Sequence, residues 1–162
     1  MINERIQKAL NDQVNTEIYS WYLYLSMAAH FEHINFNGFA KWMKLQAQEE
    51  MTHAMKIYDY LNQVNAKVVF DKIETPPTEW VSPLALFEEI YNHELKITDS
   101  INKLTDLAIE VRDHATNNFL SWFVNEQVEE VATTELILGK LKFIGDNHSG
   151  IFFLDHELGK RV

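Results

Sequence analysis

The chain has no cysteine. That excludes disulfides, zinc–thiolate sites and thiol nucleophiles, and it fits a reducing compartment. Glycine and proline are scarce, at 5 and 3 among 162 residues, so long stretches run without a breaker. Positive charge is in deficit: 14 Lys and Arg against 24 Asp and Glu leave a net charge of −10. Nucleic-acid binders need a basic footprint to displace counterions from phosphates, so no nucleic-acid partner is expected. An acidic surface favours cations instead. No stretch approaches the ~18 uninterrupted apolar residues of a membrane span. The opening Met-Ile-Asn-Glu-Arg-Ile lacks the basic start and apolar run of a secretory signal. The expectation is one cytoplasmic domain over residues 1–162, long enough for a real core, with no membrane partner.

What the chain does have is helical periodicity. Four long segments carry seams spaced alternately four and three residues apart. The first seam runs Leu10, Val14, Glu17, Trp21, Tyr24, Ala28, Phe31, and the second Phe39, Met43, Gln46, Glu50, His53, Ile57, Tyr60. The third is Phe87, Tyr91, Glu94, Thr98, Ile101, and the fourth Leu120, Phe123, Gln127, Glu130, Thr134, Ile137, Leu141. These place a helical bundle at about 4–143, with turns near 35–37 and 112–114. Ser82-Pro83 supplies an N-cap and a first-turn proline for the third helix. A loop over 145–150 precedes a short fifth helix at 151–160.

Residues 65–81 break the pattern, with Thr75-Pro76-Pro77 inside them. A 17-residue extended segment reaches ~55 Å, more than the ~45 Å of a 30-residue helix. It therefore serves as a crossover running the length of the bundle, between two antiparallel hairpins. The hairpins also read as copies. Adding 77 carries Glu17 to Glu94, Glu49 to Glu126, Glu50 to Gln127 and His53 to Glu130, and the apolar seams follow.

Each seam is largely apolar except near its middle, where Glu17, Glu50, His53, Glu94, Gln127 and Glu130 fall. An unpaired buried carboxylate costs several kcal/mol or more unless it is neutralised or coordinates a cation. Depth along the helices brings these groups to one level. Glu17 precedes the first turn by nearly the same span as Glu50 and His53 follow it. Glu94 and Glu130 stand equally far before and after the second turn. Glu50-x-x-His53 sets carboxylate and imidazole on one helical face. A Glu from each of two helices plus Glu-x-x-His is the dinuclear carboxylate pattern of helical bundles. Such oxygen-rich ligation suits iron(II) or manganese. Gln127-x-x-Glu130 replaces a second Glu-x-x-His, so the site should be lopsided.

On these residues the chain resembles the bacterial-type non-haem ferritins over essentially its whole length, crossover and short last helix included. The resemblance implies an all-α, ferritin-like four-helix bundle with a long crossover after the second helix. It implies an iron-storage protein with ferroxidase activity, oxidising iron(II) with oxygen or peroxide and keeping ferric mineral inside a hollow 24-subunit shell. Glu17, Glu50 and His53 would hold one iron, and Glu50, Glu94 and Glu130 a second, with Glu50 bridging and Gln127 beside them. Family members often carry a third position, which here would use Glu49, Glu126, Glu129 and Glu130. Tyr24 and Trp122 match aromatic positions the family keeps near its centre. The haem-binding relatives place a methionine on the second helix where this chain has Thr52, so no haem is expected. The alternative readings are a catalytic diiron bundle that does not store iron, and a metal-free structural bundle.

Overall fold

The computed structural model describes residues 2–162. Five helices account for its regular structure: α1 (Glu4–His33), α2 (Asn37–Gln63), α3 (Pro83–Glu110), α4 (His114–Ile144) and α5 (His148–Leu158). No strand occurs among the described residues. Side-chain caps start most of the helices. Asn3 accepts from the Arg5 amide, Ser82 from Ala85 and Asp113 from Thr116, each satisfying an otherwise orphaned donor.

Three helices stop in the same way. Asn35, Asn65 and Arg112 adopt positive φ of 65°, 57° and 57°. In each case the next amide closes a wide turn: Phe36 donates to Phe31, Ala66 to Leu61, Asp113 to Ala108. The left-handed residue itself closes the tighter turn inside it, completing a Schellman motif. Both hairpin turns obey the offset of 77. Helix α1 ends at His33 and α3 at Glu110, while α2 begins at Asn37 and α4 at His114.

The crossover is tied down along α1. The Asn11 amide donates to the Lys67 carbonyl and its oxygen accepts from Val69. Asn15 donates to the Lys72 carbonyl and Ser26 to that of Pro77. Both chains advance together, so the crossover runs parallel to α1 and delivers α3 antiparallel to it. Cross-links between Arg5 and Glu110, Gln13 and Ser100, and Tyr24 and Glu94 fix that register. Between α2 and α4, Tyr60 meets Thr116 and Gln46 meets Glu130, again antiparallel.

Two apolar cores result, one at each end of the bundle. One gathers Met27, Phe31, Phe39, Met43, Phe87 and Leu141, with Phe31 and Phe39 stacked at 4.8 Å. The other gathers Leu10, Ile57, Leu61, Ile101, Leu104 and Leu120. Each fully buried side chain of this size stabilises the fold by roughly 1.5–3 kcal/mol. Those cores offset the polar layer that lies between them.

The fifth helix departs from its expected bounds. It starts at His148 rather than 151, because Asn147 caps it by accepting from the Gly150 amide. It ends at Leu158, and α4 extends slightly further than expected, to Ile144. Helix α5 packs on the start of α2. Asp155 accepts from the Phe39 amide at 2.8 Å, and a Cβ on Gly38 would stand 1.7 Å from the Asp155 carbonyl oxygen. Only glycine allows that approach. No helix among the described residues is long and apolar enough to cross a membrane.

Candidate metal centre

The polar positions of the four seams meet in one buried layer. Glu17 and Glu94 are 1 % exposed, Glu50 2 %, His53 4 %, Gln127 5 % and Glu130 7 %. All four long helices contribute, α1 through α4, so the layer exists only in the assembled bundle. Three groups of side chains offer ligand atoms all within 4.8 Å of one another. They are Glu17, Glu50 and His53; Glu50, Glu94 and Glu130; and His53, Glu126 and Glu130. Glu50 is common to the first two. His53 and Glu130 are shared with the third, which lies toward the partly exposed Glu126.

The carboxylates are partnered by neutral donors rather than by cations. Gln13 donates to Glu17 at 2.7 Å, leaving the second oxygen of Glu17 without a partner. Gln46 donates to Glu130 at 2.6 Å and to Glu50 at 3.4 Å. Gln127 donates to Glu94 at 3.1 Å and also reaches Thr98. The Tyr24 hydroxyl donates to the other oxygen of Glu94. Within the layer, His53 Nδ1 is 3.3 Å from Glu50, and Nε2 is 3.6 Å from Glu126.

Burial pushes the carboxyls of Glu17, Glu50, Glu94 and Glu130 up. Glu17 rises well above the usual range through desolvation, with the neighbouring Glu50 adding to it. Glu50 rises for the same reason, followed by repulsion from Glu94 and Glu130. Glu94 rises by desolvation, moderated by its bonds from Tyr24 and Gln127. Glu130 reaches about 8, through desolvation and then the charge of Glu94. Like-charged oxygens crowded this closely favour proton uptake, and a bound cation competes with those protons. The donor set fits hard divalent ions: oxygen-rich, one imidazole, an unpartnered buried oxygen and no competing Lys or Arg ion pair on these four carboxylates among the described residues.

The remaining expected residues fall around this layer. Glu49 is drawn to Arg161, and Glu129 is exposed, so neither joins the close groups; His53 takes a place in the third group instead. Trp122 is 38 % exposed and meets the His53 ring edge-on at 5.4 Å. Thr52 points to the surface, its hydroxyl bonded to the Glu49 carbonyl. Gln13, Gln46 and Arg161 join the centre although the sequence assigns them no role there. Gln46 sits in its seam one turn before Glu50, and that spacing is the available signal.

Comparison with known proteins points to one family. A ferritin-like domain model matches residues 7–144. The bacterial non-heme ferritin of Bacteroides fragilis is 46 % identical over 99 % of this chain and all of its own. That of Escherichia coli is 39 % identical over 98 % of this chain and 96 % of its own. Among solved structures, an open-pore ferritin from the archaeon Archaeoglobus fulgidus superposes with a TM-score of 0.99 at 48 % identity, covering both chains fully. With the family model matching most of its length and relatives this similar end to end, the chain belongs to the ferritin family.

Proposed function

We propose that the protein stores iron and is a ferroxidase, oxidising iron(II) in the buried layer and passing iron(III) to a mineral held inside an oligomeric shell. The observation that carries this reading is the pair of ligand groups sharing Glu50, buried and without cationic partners. Iron(II) is the substrate. Glu17, Glu50 and His53 hold one ion and Glu50, Glu94 and Glu130 the other, their charge offset by the carboxylates. Oxygen or peroxide is the electron acceptor. Gln127 and Tyr24 hold Glu94 in place, and the third group, supplemented by Glu49 and Glu129, takes a further ion on its way out. Few nitrogens and many hard oxygens let iron(III) leave.

The shell is assigned 24 copies of the chain, each of 19.0 kDa. Support comes from apolar surface that an isolated chain leaves uncovered. Phe143 is 93 % exposed, and Phe153 and Leu136 line a groove of about 870 Å³ between α4 and α5. Its location is assigned to the cytoplasm.

Aerobic loading with excess iron(II), followed by size exclusion with iron and protein detected together, tests storage. Hundreds of irons per particle are expected, eluting at the mass of the full 24-chain shell. A pair of irons per chain on a small oligomer would instead favour a diiron enzyme that does not store. Replacing Glu50→Ala with His53→Ala should abolish fast oxidation and leave the particle size unchanged; unaltered initial rates would remove the layer from the reaction.

A further inference from the structure

The segment after α5 sends a cation to the edge of the metal layer. Gly159 lies against Gly38, where a Cβ would stand 3.2 Å from the Gly38 Cα, and its carbonyl accepts from Lys41 at 3.0 Å. Backbone bonds from Lys160 to Glu157 and from Arg161 to Leu158 keep the chain turned. Arg161 therefore folds back along α2 with its guanidinium over the Trp42 ring, 4.9 Å from the centroid. One of its nitrogens donates to Gln46 at 3.0 Å, the other to Glu49 at 2.5 Å.

Both partners matter to the centre. Because the Gln46 oxygen accepts from Arg161, its amide nitrogen is turned toward Glu130 and Glu50. Glu49 is joined to Glu130 through a chain of hydrogen bonds, Arg161 holding Glu49 and Gln46 and Gln46 in turn donating to Glu130. A carboxylate cannot give the same oxygen fully to a guanidinium and to a divalent ion. The planar two-pronged head also suits Arg better than Lys, which offers a point charge and loses the stacking on Trp42.

We propose that Arg161 is a positioning residue of the centre: it withholds Glu49 from the outer cation position beside Glu126 and Glu130, so that filling this position releases the segment after α5. This rests on the metal-centre reading above. The ion pair is partly exposed, its two side chains at 25 % and 46 %. Pairs of that kind contribute roughly 0.2–1 kcal/mol, which corresponds to an up to about fivefold effect on the affinity of a competing cation.

The test uses the assembled full-length protein and zinc(II), which does not change oxidation state. Calorimetric titration should give two tight ions per chain and a weaker one. In R161Q the weaker step should tighten about two- to fivefold, while R161K should resemble the parent less than fully, recovering the charge but not the second prong. In an E49Q background, R161Q should have no further effect on that step. Hydrogen exchange on the parent should show residues 159–162 exchanging faster once the weaker step is filled. A weaker step that is unchanged or loosened in R161Q overturns the proposal, as does a segment whose exchange ignores saturating zinc. Absence of the two tight ions would overturn the metal-centre reading as well, whereas their presence with an indifferent R161Q overturns only the role of Arg161.

Discussion

The two hairpins share one backbone plan and divide the chemistry unevenly. Helices α1 and α2 supply Glu17, Glu50 and His53; α3 and α4, their copies at the offset of 77, supply Glu94, Gln127 and Glu130. Where the first hairpin has the shared carboxylate Glu50, the second has an amide that clamps Glu94. Where the first has glutamines beside its carboxylates, Gln13 and Gln46, the second has Ile90 and Phe123. The turns differ too. Phe36 gives α2 no side-chain cap, whereas Asp113 caps α4. Gly38 at the first turn receives α5, and its counterpart Ala115 receives nothing from it. A symmetric scaffold thus carries an asymmetric layer, one half leaving an oxygen of Glu17 unpartnered and the other with both oxygens of Glu94 held.

The sharpest way to break this contrast is to remove the equivalent residues Glu50 and Gln127 in turn. Glu50→Ala should cut the initial rate of iron(II) oxidation by more than ~100-fold, since two ligand groups lose their common member. Gln127→Ala, which only frees Glu94, should cost roughly 10–100-fold, the usual range for a residue that orients a ligand. Equal losses in stopped-flow measurements would mean that the amide is itself a ligand and the halves are alike.

Next in size comes the glycine. Gly38→Ala cannot be accommodated against the Asp155 carbonyl, so α5 must lift and expose Leu154, now 3 % exposed. A loss of ~2 kcal/mol is expected, read from denaturant unfolding of the metal-free chain. Ala115→Gly at the matching turn should cost only ~0.5–1 kcal/mol, through backbone entropy. A comparable cost at both turns would show that α5 contributes nothing through Gly38.

Proton linkage separates the layer from the rest of the chain. Glu130 titrates at about 8 against an ordinary 4.5, so between those values the metal-free folded chain binds more protons than the unfolded one. Its stability contribution from this group is complete at acid pH and is lost as pH rises through that window. His93, partly buried and bonded to Ser20, behaves oppositely: desolvation and then Lys96 lower it to about 4 from 6.5. Its contribution is present above 6.5 and lost as pH falls toward 4. Zinc binding at neutral pH should release protons from the layer, measurable as a dependence of binding heat on buffer ionisation enthalpy. A heat independent of buffer would mean that the carboxyls are already ionised.

The smallest effect sharpens the turn comparison. Arg112 occupies the left-handed conformation that Asn occupies at 35, with φ of 57°. Arg112→Asn, copying the first turn, should stabilise the chain by ~0.5 kcal/mol, because Asn adopts this region more readily. A lower melting temperature would show that the Arg112 side chain has a role of its own.

Much of this was legible in the sequence because buried helices write their contacts every three or four residues. Glu17, Glu50, His53, Glu94, Gln127 and Glu130 stand out as polar residues in apolar seams, and all six are buried together. Helix ends are legible where Ser82-Pro83 or a polar turn marks them. The start of α5 is obscured because Ser149 and Gly150 look like loop residues, and only the Asn147 cap overrides that. The assisting residues are harder. Gln13 lies off the seam, and a glutamine at a helix flank looks the same whether it faces solvent or a carboxylate. Arg161 lies beyond the last periodic residue, where spacing carries no information. Glu49 and Glu126 share one pattern position, yet one meets a guanidinium and the other an imidazole, a distinction made only by tertiary contacts.

The crossover has a consequence for the order in which the molecule comes together. Each hairpin joins neighbouring helices through a short, tight turn, so its contacts are local and quick to form. The crossover only tethers one finished hairpin to the other, at an entropic cost that grows slowly with its length. The ligand group that unites Glu50 with Glu94 and Glu130 draws on both hairpins. On the proposed reading the first ligand group can form within one hairpin, but the second is complete only at the last long-range step. Filling of both groups therefore becomes a report that folding is finished.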